Sequence, residues 1–332
     1  MVKNMEGYKV SDVVCIGQAC IDFFINGIQE DFDIGNMRNT CESFTMEIGG
    51  DSTNESRILK RMGVDVSVVH SRGDDAAGAV IKYLFDKDGV DISKCIVSPD
   101  AKTSIVIIFP MKEKERHVIF PRTFTERASF EVTPKMIEGA KVVSFASLLG
   151  HPFREPENVY NAAKLVKSIG ATLCADINLI PNLDINNYVD SFPFIDYFFP
   201  NNEEALGLTH LDSIEKAADF FLGKGIKNVI TKTGKDGVYV KNATTEFSLP
   251  AFKIDQVIDT TGAGDNFAAG FICAMLDGMS LKECLLFATA TSSIAVQIIG
   301  ASTGVQSKKQ VEDAIAVQKE KYPEIYNAFF EN

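Results

Sequence analysis

The sequence predicts an α/β protein: a mostly parallel sheet with helices on both faces, to which a small β-sheet lid is added. Three observations carry this. From Ala140 onward, short apolar and β-branched runs alternate with segments of helical period, and repeated βα units build a parallel sheet covered on both sides, an αβα sandwich of three layers. Between Phe23 and Thr45, and again between Thr103 and Phe120, strand-like runs follow one another with no helix between them. Asp259-Thr260-Thr261-Gly262-Ala263-Gly264-Asp265-Asn266-Phe267 follows a short strand-like approach and opens onto an apolar run, Phe267–Leu276, that reads as a buried helix. With no repeat, low-complexity tract or long linker, the simplest partition is one core domain, 1–332, with lid strands inserted at about 22–47 and 102–124.

Composition narrows the function. The net charge of −12 argues against a nucleic-acid or anionic-membrane partner. No stretch approaches the ~20 apolar residues of a membrane span. The seven cysteines form no CxxC pair and most sit in apolar runs, which points to a reduced, cytoplasmic protein.

Taken in order, Val13–Gly17 is a short buried strand. Asp22, five residues on, is either a solvated turn residue or a carboxylate at the strand end where α/β sheets bind ligands. Gly49-Gly50 precedes a helix, Glu55–Met62, that stops at Gly63. Asn54, in its first turn, can present an amide to a polyol. Val64–His70 reads as a strand and Asp74–Asp88 as a helix, apolar at 76, 77, 80, 81, 84 and 85. Thr103–Phe109 and His117–Phe120 form a hairpin around the charged 110–116 turn. Strands at Lys141–Phe145, Ala171–Ala175, Ile195–Phe199 and Lys227–Thr231 alternate with helices near Glu155–Ile169 and Ser213–Leu222. Pro200-Asn201-Asn202-Glu203-Glu204 by itself is an N-capped helix start, and Ile230–Val238 by itself is a hairpin tipped by Asp236-Gly237, with Lys232 either in solvent or reaching a phosphate. Two helices, Leu281–Ile299 and Ser307–Lys319, close the chain, the first with a small-residue face at Ala288–Ile294.

The 259–267 turn holds the chemistry. Two glycines around an alanine let backbone N–H groups converge, and the helix behind them adds unpaired amides and its dipole. That is a seat for an anion such as a phosphate. Asp265 is then either the helix cap or a carboxylate that takes a proton from the phosphate's target. No Lys-Ser/Thr follows the glycines and the third glycine of a dinucleotide fingerprint is missing, so neither a P-loop nor a dehydrogenase site is present.

With these residues in view, the chain resembles the ribokinase-like (PfkB) family of carbohydrate and nucleoside kinases. Five segments match in order: Asp22, Gly49-Gly50 with Asn54, Asn201 with Glu204, Gly234 with Gly237, and the 259–267 turn. The resemblance implies transfer of the γ-phosphoryl group of ATP to a sugar hydroxyl, with Asp265 as base and the amides of Gly262, Ala263 and Gly264 stabilising charge. It implies that Asp22, Gly49, Gly50 and Asn54 hold the sugar, with Arg122 of the lid beside them. It assigns Asn201, Thr233, Gly234 and Gly237 to the nucleotide and Glu204 to Mg²⁺ through water. Asp259 and Thr261 match a turn that holds K⁺ in members activated by that ion. The family's β lid covers the sugar and often makes the contact of a homodimer. The implied substrate is a fructose-like hexose, ribose or a ketodeoxygluconate-type sugar. Two departures bear on these implications: Ile180 stands where ketodeoxygluconate-kinase-like members carry Arg, and Gly304 where a hydroxyl residue is common. The alternative within the same chemistry is a nucleoside kinase, its base held by Phe120, Phe124 and Phe145. A reading of another class is a catalytically silent, sugar-sensing protein on the same fold.

Overall fold

All four residues of the first strand, β1 (Val13–Ile16), are buried, alternately in one apolar core and in the other. A strand that is apolar on both faces needs cover on both. The computed structural model, which describes residues 10–27, 35, 38–109, 117–121, 129–178, 180 and 183–331, supplies that cover. After β1 come the strands β2 (Cys20–Asn26), β3 (Ser43–Gly49), β4 (Val66–Val69), β5 (Ser71–Gly73), β6 (Ile96–Ser98), β7 (Ile105–Phe109) and β8 (His117–Ile119). The second half adds β9 (Val142–Leu148), β10 (Thr172–Ile177), β11 (Tyr197–Phe198), β12 (Asn228–Lys232), β13 (Val238–Asn242) and β14 (Glu246–Leu249).

Among the described residues, eight strands form the central sheet in the order β14-β13-β12-β11-β10-β9-β1-β4. From β4 to β12 every pairing is parallel; β13 and β14 complete one edge antiparallel. Helices α1 (Asp51–Arg61) and α2 (Ala76–Asp88) lie on one face; α3 (Pro134–Ile137), α4 (Pro156–Ser168), α5 (Asn202–Thr209) and α6 (Ile214–Gly223) cover the other. The last four, α7 (Ala263–Leu276), α8 (Leu281–Ala295), α9 (Lys308–Lys321) and α10 (Pro323–Glu331), return to the first face.

Local chemistry sets the helix ends. Asp75 caps α2 through the N–H of Gly78 (2.8 Å), and Gly89 closes it in the left-handed conformation. Helix α7 is buried from Asp265 to Ala274, as its unbroken apolar run requires. It meets α8 at Gly270, where a Cβ would fall 2.4 Å from the Thr291 hydroxyl, so the small-residue face of α8 is what brings the two helices together.

Among the described residues the lid is a mixed sheet of four strands, β3-β2-β7-β8. β2 pairs antiparallel with β3 but parallel with β7, which knits the two inserted stretches into one sheet. The approach to the glycine turn departs from the sequence reading. Residues 251–260 form no strand, because β14 ends the sheet at its antiparallel edge. The segment instead runs against the end of α8, with the N–H groups of Ile258 and Asp259 donating to the carbonyl of Val296 (2.8 and 3.2 Å).

Candidate active site

The carboxyl ends of β1, β9, β10, β11 and β12 face the lid, where open α/β sheets bind ligands. Between sheet and lid lies a cavity of about 790 Å³. The glycine turn forms one wall. Gly262 has φ 71°, and a Cβ there would fall 2.3 Å from the carbonyl oxygen of Ala301, so only glycine allows the turn to sit this close to the 300 loop. Asn266 fastens that approach by donating to the carbonyls of Gly262 (2.7 Å) and Ala301 (2.8 Å). The helix cap is Gly262, not Asp265. Asp265 sits inside the first turn of α7, 9% exposed, and its Oδ2 accepts a hydrogen bond from the Asn54 amide at 2.7 Å. Burial, then the nearby Asp51 carboxylate, push its pKa well above the ordinary range, while the Asn54 hydrogen bond draws it back in part.

Acids crowd this end of the cavity. Asp51, the first residue of α1, accepts from Ser147 (2.8 Å) and Asn178 (2.5 Å). Burial raises its pKa to about 6. Asp176 is the penultimate residue of β10, and both its oxygens accept from the Lys232 ammonium at 2.7 Å. Of the two readings of Lys232, the solvated one is thereby corrected: its side chain is 15% exposed and lies in the cavity wall. Burial works against that ammonium, but Asp176, Glu204 and Asp265 more than offset it and the pKa is raised.

On the nucleotide side, Asn201 and Glu204 form a capping box at the start of α5. The Asn201 side chain accepts from Glu204 N (2.9 Å) and the Glu204 carboxylate from Asn201 N (2.7 Å). Both residues also line the cavity. Burial raises the Glu204 pKa to about 7, although Lys232 draws it down. Gly234 lines the cavity, whereas Thr233 and Gly237 shape the hairpin behind it, Thr233 N donating to Gly237 O at 2.8 Å. Asp259 and Thr261 staple loops together: Asp259 accepts from Thr261 N (2.9 Å), the Thr261 hydroxyl (2.6 Å) and Gly300 N (2.9 Å).

On the lid side, Asp22 and Gly50 line the cavity. Gly50 has φ 102° and a Cβ there would meet the Gln18 carbonyl oxygen at 2.3 Å; a Cβ on Gly49 would overlap the Asp22 carboxylate at 2.1 Å. Gly49 thus makes room for Asp22 and does not itself reach the cavity. Arg122 and Phe124 lie outside the described residues. Phe145 does not offer a slot for a base, since it is fully buried against Phe153 with ring centroids 4.1 Å apart. The sequence reading also passed over Asp51, His151 and Arg154, which line the cavity. His151 and Arg154 follow β9, whose apolar run was visible but whose outgoing loop carries no motif.

Residues 10–308 match the model of the pfkB family of carbohydrate kinases. A 2-dehydro-3-deoxygluconokinase of Bacillus subtilis is 27% identical over 319 residues, 93% of this chain and 96% of the relative. A nucleoside kinase of Methanocaldococcus jannaschii is 25% identical over 315 residues, 93% of this chain and 98% of the relative. Among solved structures, Arabidopsis thaliana ribokinase complexed with ribose and ATP superposes with a TM-score of 0.79 at 23% identity, over 92% of this chain and 99% of the ribokinase. The family match begins just ahead of β1, takes in both inserted pairs of lid strands and the glycine turn, and ends at the start of α9; the chain belongs to the pfkB family of carbohydrate kinases and is a phosphotransferase with an alcohol group as acceptor.

Proposed function

We propose that the protein transfers the γ-phosphoryl group of ATP to a hydroxyl of a small carbohydrate, a fructose-like hexose, ribose or a ketodeoxygluconate-type sugar. The observation that carries this reading is the placement of Asp265: a buried carboxylate, oriented by Asn54 at 2.7 Å, inside the first turn of a helix whose leading residues Gly262, Ala263 and Gly264 line the cavity. Asp265 accepts the hydroxyl proton as the oxygen attacks, and the amides of Gly262, Ala263 and Gly264 take up charge on the transferred group. Asp22 and Gly50 seat the sugar with Asn54, Gly49 makes the room that Asp22 needs, and Arg122 is proposed as a further contact to the sugar. Asn201 and Gly234 border the nucleotide, and the Thr233–Gly237 hairpin turn supports it. The Glu204 carboxyl, a hard oxygen donor whose pKa burial raises to about 7, suits a partly hydrated Mg²⁺. Mg²⁺ held there through water supplies counter-charge to the triphosphate. The side chains of Asp259 and Thr261 satisfy each other and the 300 loop, and no role for K⁺ is proposed.

The outer face of the lid is apolar: Phe44, Met46, Ile105 and Ile119 are 63, 44, 45 and 52% exposed. A homodimer that packs these faces together accounts for a patch that a monomer would leave in water. A cytosolic location suits seven cysteines of which none is in a disulfide.

A nucleoside acceptor is the second reading. Val106, Ile108, Val118 and Phe120 give the lid side of the cavity an apolar lining suited to a base. ADP release with Mg·ATP across fructose, ribose, ketodeoxygluconate, other hexoses and nucleosides separates the two. Asp265→Asn, assayed in parallel, is expected to lower kcat by ~10² to 10⁴ with nucleotide binding nearly intact. Unchanged turnover would remove Asp265 as the base. Because the Asp265 pKa is raised, kcat/KM of the wild type is expected to climb with pH along a limb lying above the usual carboxylate range.

A further inference from the structure

We infer that Lys232 is a second catalytic residue of this site, its ammonium donating a hydrogen bond to the γ-phosphoryl group while Asp176 holds it in position. The inference rests on the kinase reading above and on four features of the geometry. The Lys232 nitrogen stands 3.0 Å from where a Cβ on Gly264 would lie, so it abuts the middle of the anion-binding turn. An ammonium has three donors. Two are spent on the oxygens of Asp176 at 2.7 Å, which leaves one for a phosphoryl oxygen without breaking the pair. Asp176 is itself fixed, its Oδ1 accepting the N–H of Ile177 at 2.8 Å. The Lys232 backbone is fixed as well, its N–H donating to the carbonyl of Pro200 at 2.8 Å.

Charge supplies the reason. Asp51, Asp176, Glu204 and Asp265 all line the cavity that must accept a triphosphate. Amide dipoles alone would face these four carboxyl groups, Asp22 on the lid side and an incoming polyanion. Of the described residues lining the cavity, Lys232 and Arg154 carry a lasting positive charge, and Lys232 is the one placed against Gly264. In the reaction the acceptor oxygen bonds to the γ-phosphorus as the bond from that phosphorus to the β,γ-bridging oxygen breaks. The hydroxyl proton passes to Asp265 and ADP leaves with the bonding electrons. Lys232 keeps its proton throughout. Asp176 acts through Lys232 and is a positioning residue.

The test is calorimetric titration of the full-length protein with Mg·AMP-PNP and with Mg·ADP, which differ at the γ-phosphoryl group. Lys232→Met leaves Asp176 buried and unpaired, so the double variant Lys232→Met/Asp176→Asn is measured beside it, with thermal melting as the check on folding. In both variants the ratio of the ADP Kd to the AMP-PNP Kd is expected to fall at least ~10-fold, with the ADP Kd changed by less than about threefold, as for loss of one charged donor to the γ group. On any sugar that the wild type phosphorylates, kcat is expected to fall ~10² to 10³ while the sugar KM stays within about threefold. A folded double variant with the wild-type ratio would overturn the inference, as would equal weakening of both nucleotides. Absence of binding of either nucleotide to the wild-type protein would overturn the kinase reading itself, and this inference with it.

Discussion

Glu55 follows Asn54 in α1, and its fully buried carboxyl stands among Ser144 of β9 and the thiols of Cys15 and Cys174. Burial raises its pKa from 4.5 to about 8, with Ser144 moderating the rise and Asp176 adding to it. An acid whose folded pKa exceeds its unfolded one contributes stability that is complete below pH 4.5 and is lost as pH climbs through 8. Glu55→Gln keeps the shape and cannot ionise. Its stability relative to wild type is expected to rise by about 2–4 kcal/mol between pH 5 and 8, read from denaturant melts at each pH; a constant difference would show that Glu55 is ionised throughout. Asp265 was legible in the sequence because its surroundings are local, a glycine turn and the helix behind it. The Lys232–Asp176 pair and Asp51 were not. Their partners come from β10, β12 and α1, and a side chain's charge environment is set by elements that only the fold brings together.

At the scale of elements, α1 connects the two halves of the site. Gly50 begins it, Asn54 holds Asp265 of α7, and one turn further Arg57 donates to the Ser302 hydroxyl at 2.8 Å and pairs with Asp88 at the end of α2. Arg61 adds a hydrogen bond to the Ser302 carbonyl. The lid side and the 300 loop are therefore held by one helix. Arg57→Met is expected to cost about 2–3 kcal/mol, read as a fall of several degrees in Tm, since it removes the nearer of the two guanidinium groups paired with the largely buried Asp88 and leaves Arg61 at 4.0 Å. A Tm within 1 °C of wild type, on the order of the ~0.5 kcal/mol scatter of neutral surface changes, would refute that tie. The helices themselves were readable from sequence, because caps such as Asp75, Ser280 and Ser307 are local signals. The coil before the glycine turn was not, since its backbone pairs with Val296 at the end of α8 while Val257 and Ile258 stay exposed, and the strand pattern says nothing of which element will receive it.

At the scale of the whole molecule, alternation from Ala140 onward announced the parallel sheet and the unaccompanied strands announced a separate one. The strand order could not be read, because pairing partners lie far apart in the chain. The double change Phe44→Asp/Ile119→Asp on the outer lid face is expected to convert a dimer into a monomer by light scattering; a wild-type monomer, or a dimer that survives the change, would rule out the lid contact. The place of β1 has a further consequence. It is clasped between β4 and β9, pairing with Val142–Val143 through Val13 and Val14. A chain leaving the ribosome must therefore carry its first strand, exposed along one edge, until β9 has been made. At about 5–20 residues per second that wait lasts roughly 6 to 26 s, and the most apolar strand of the sheet spends it as a target for chaperones and for aggregation.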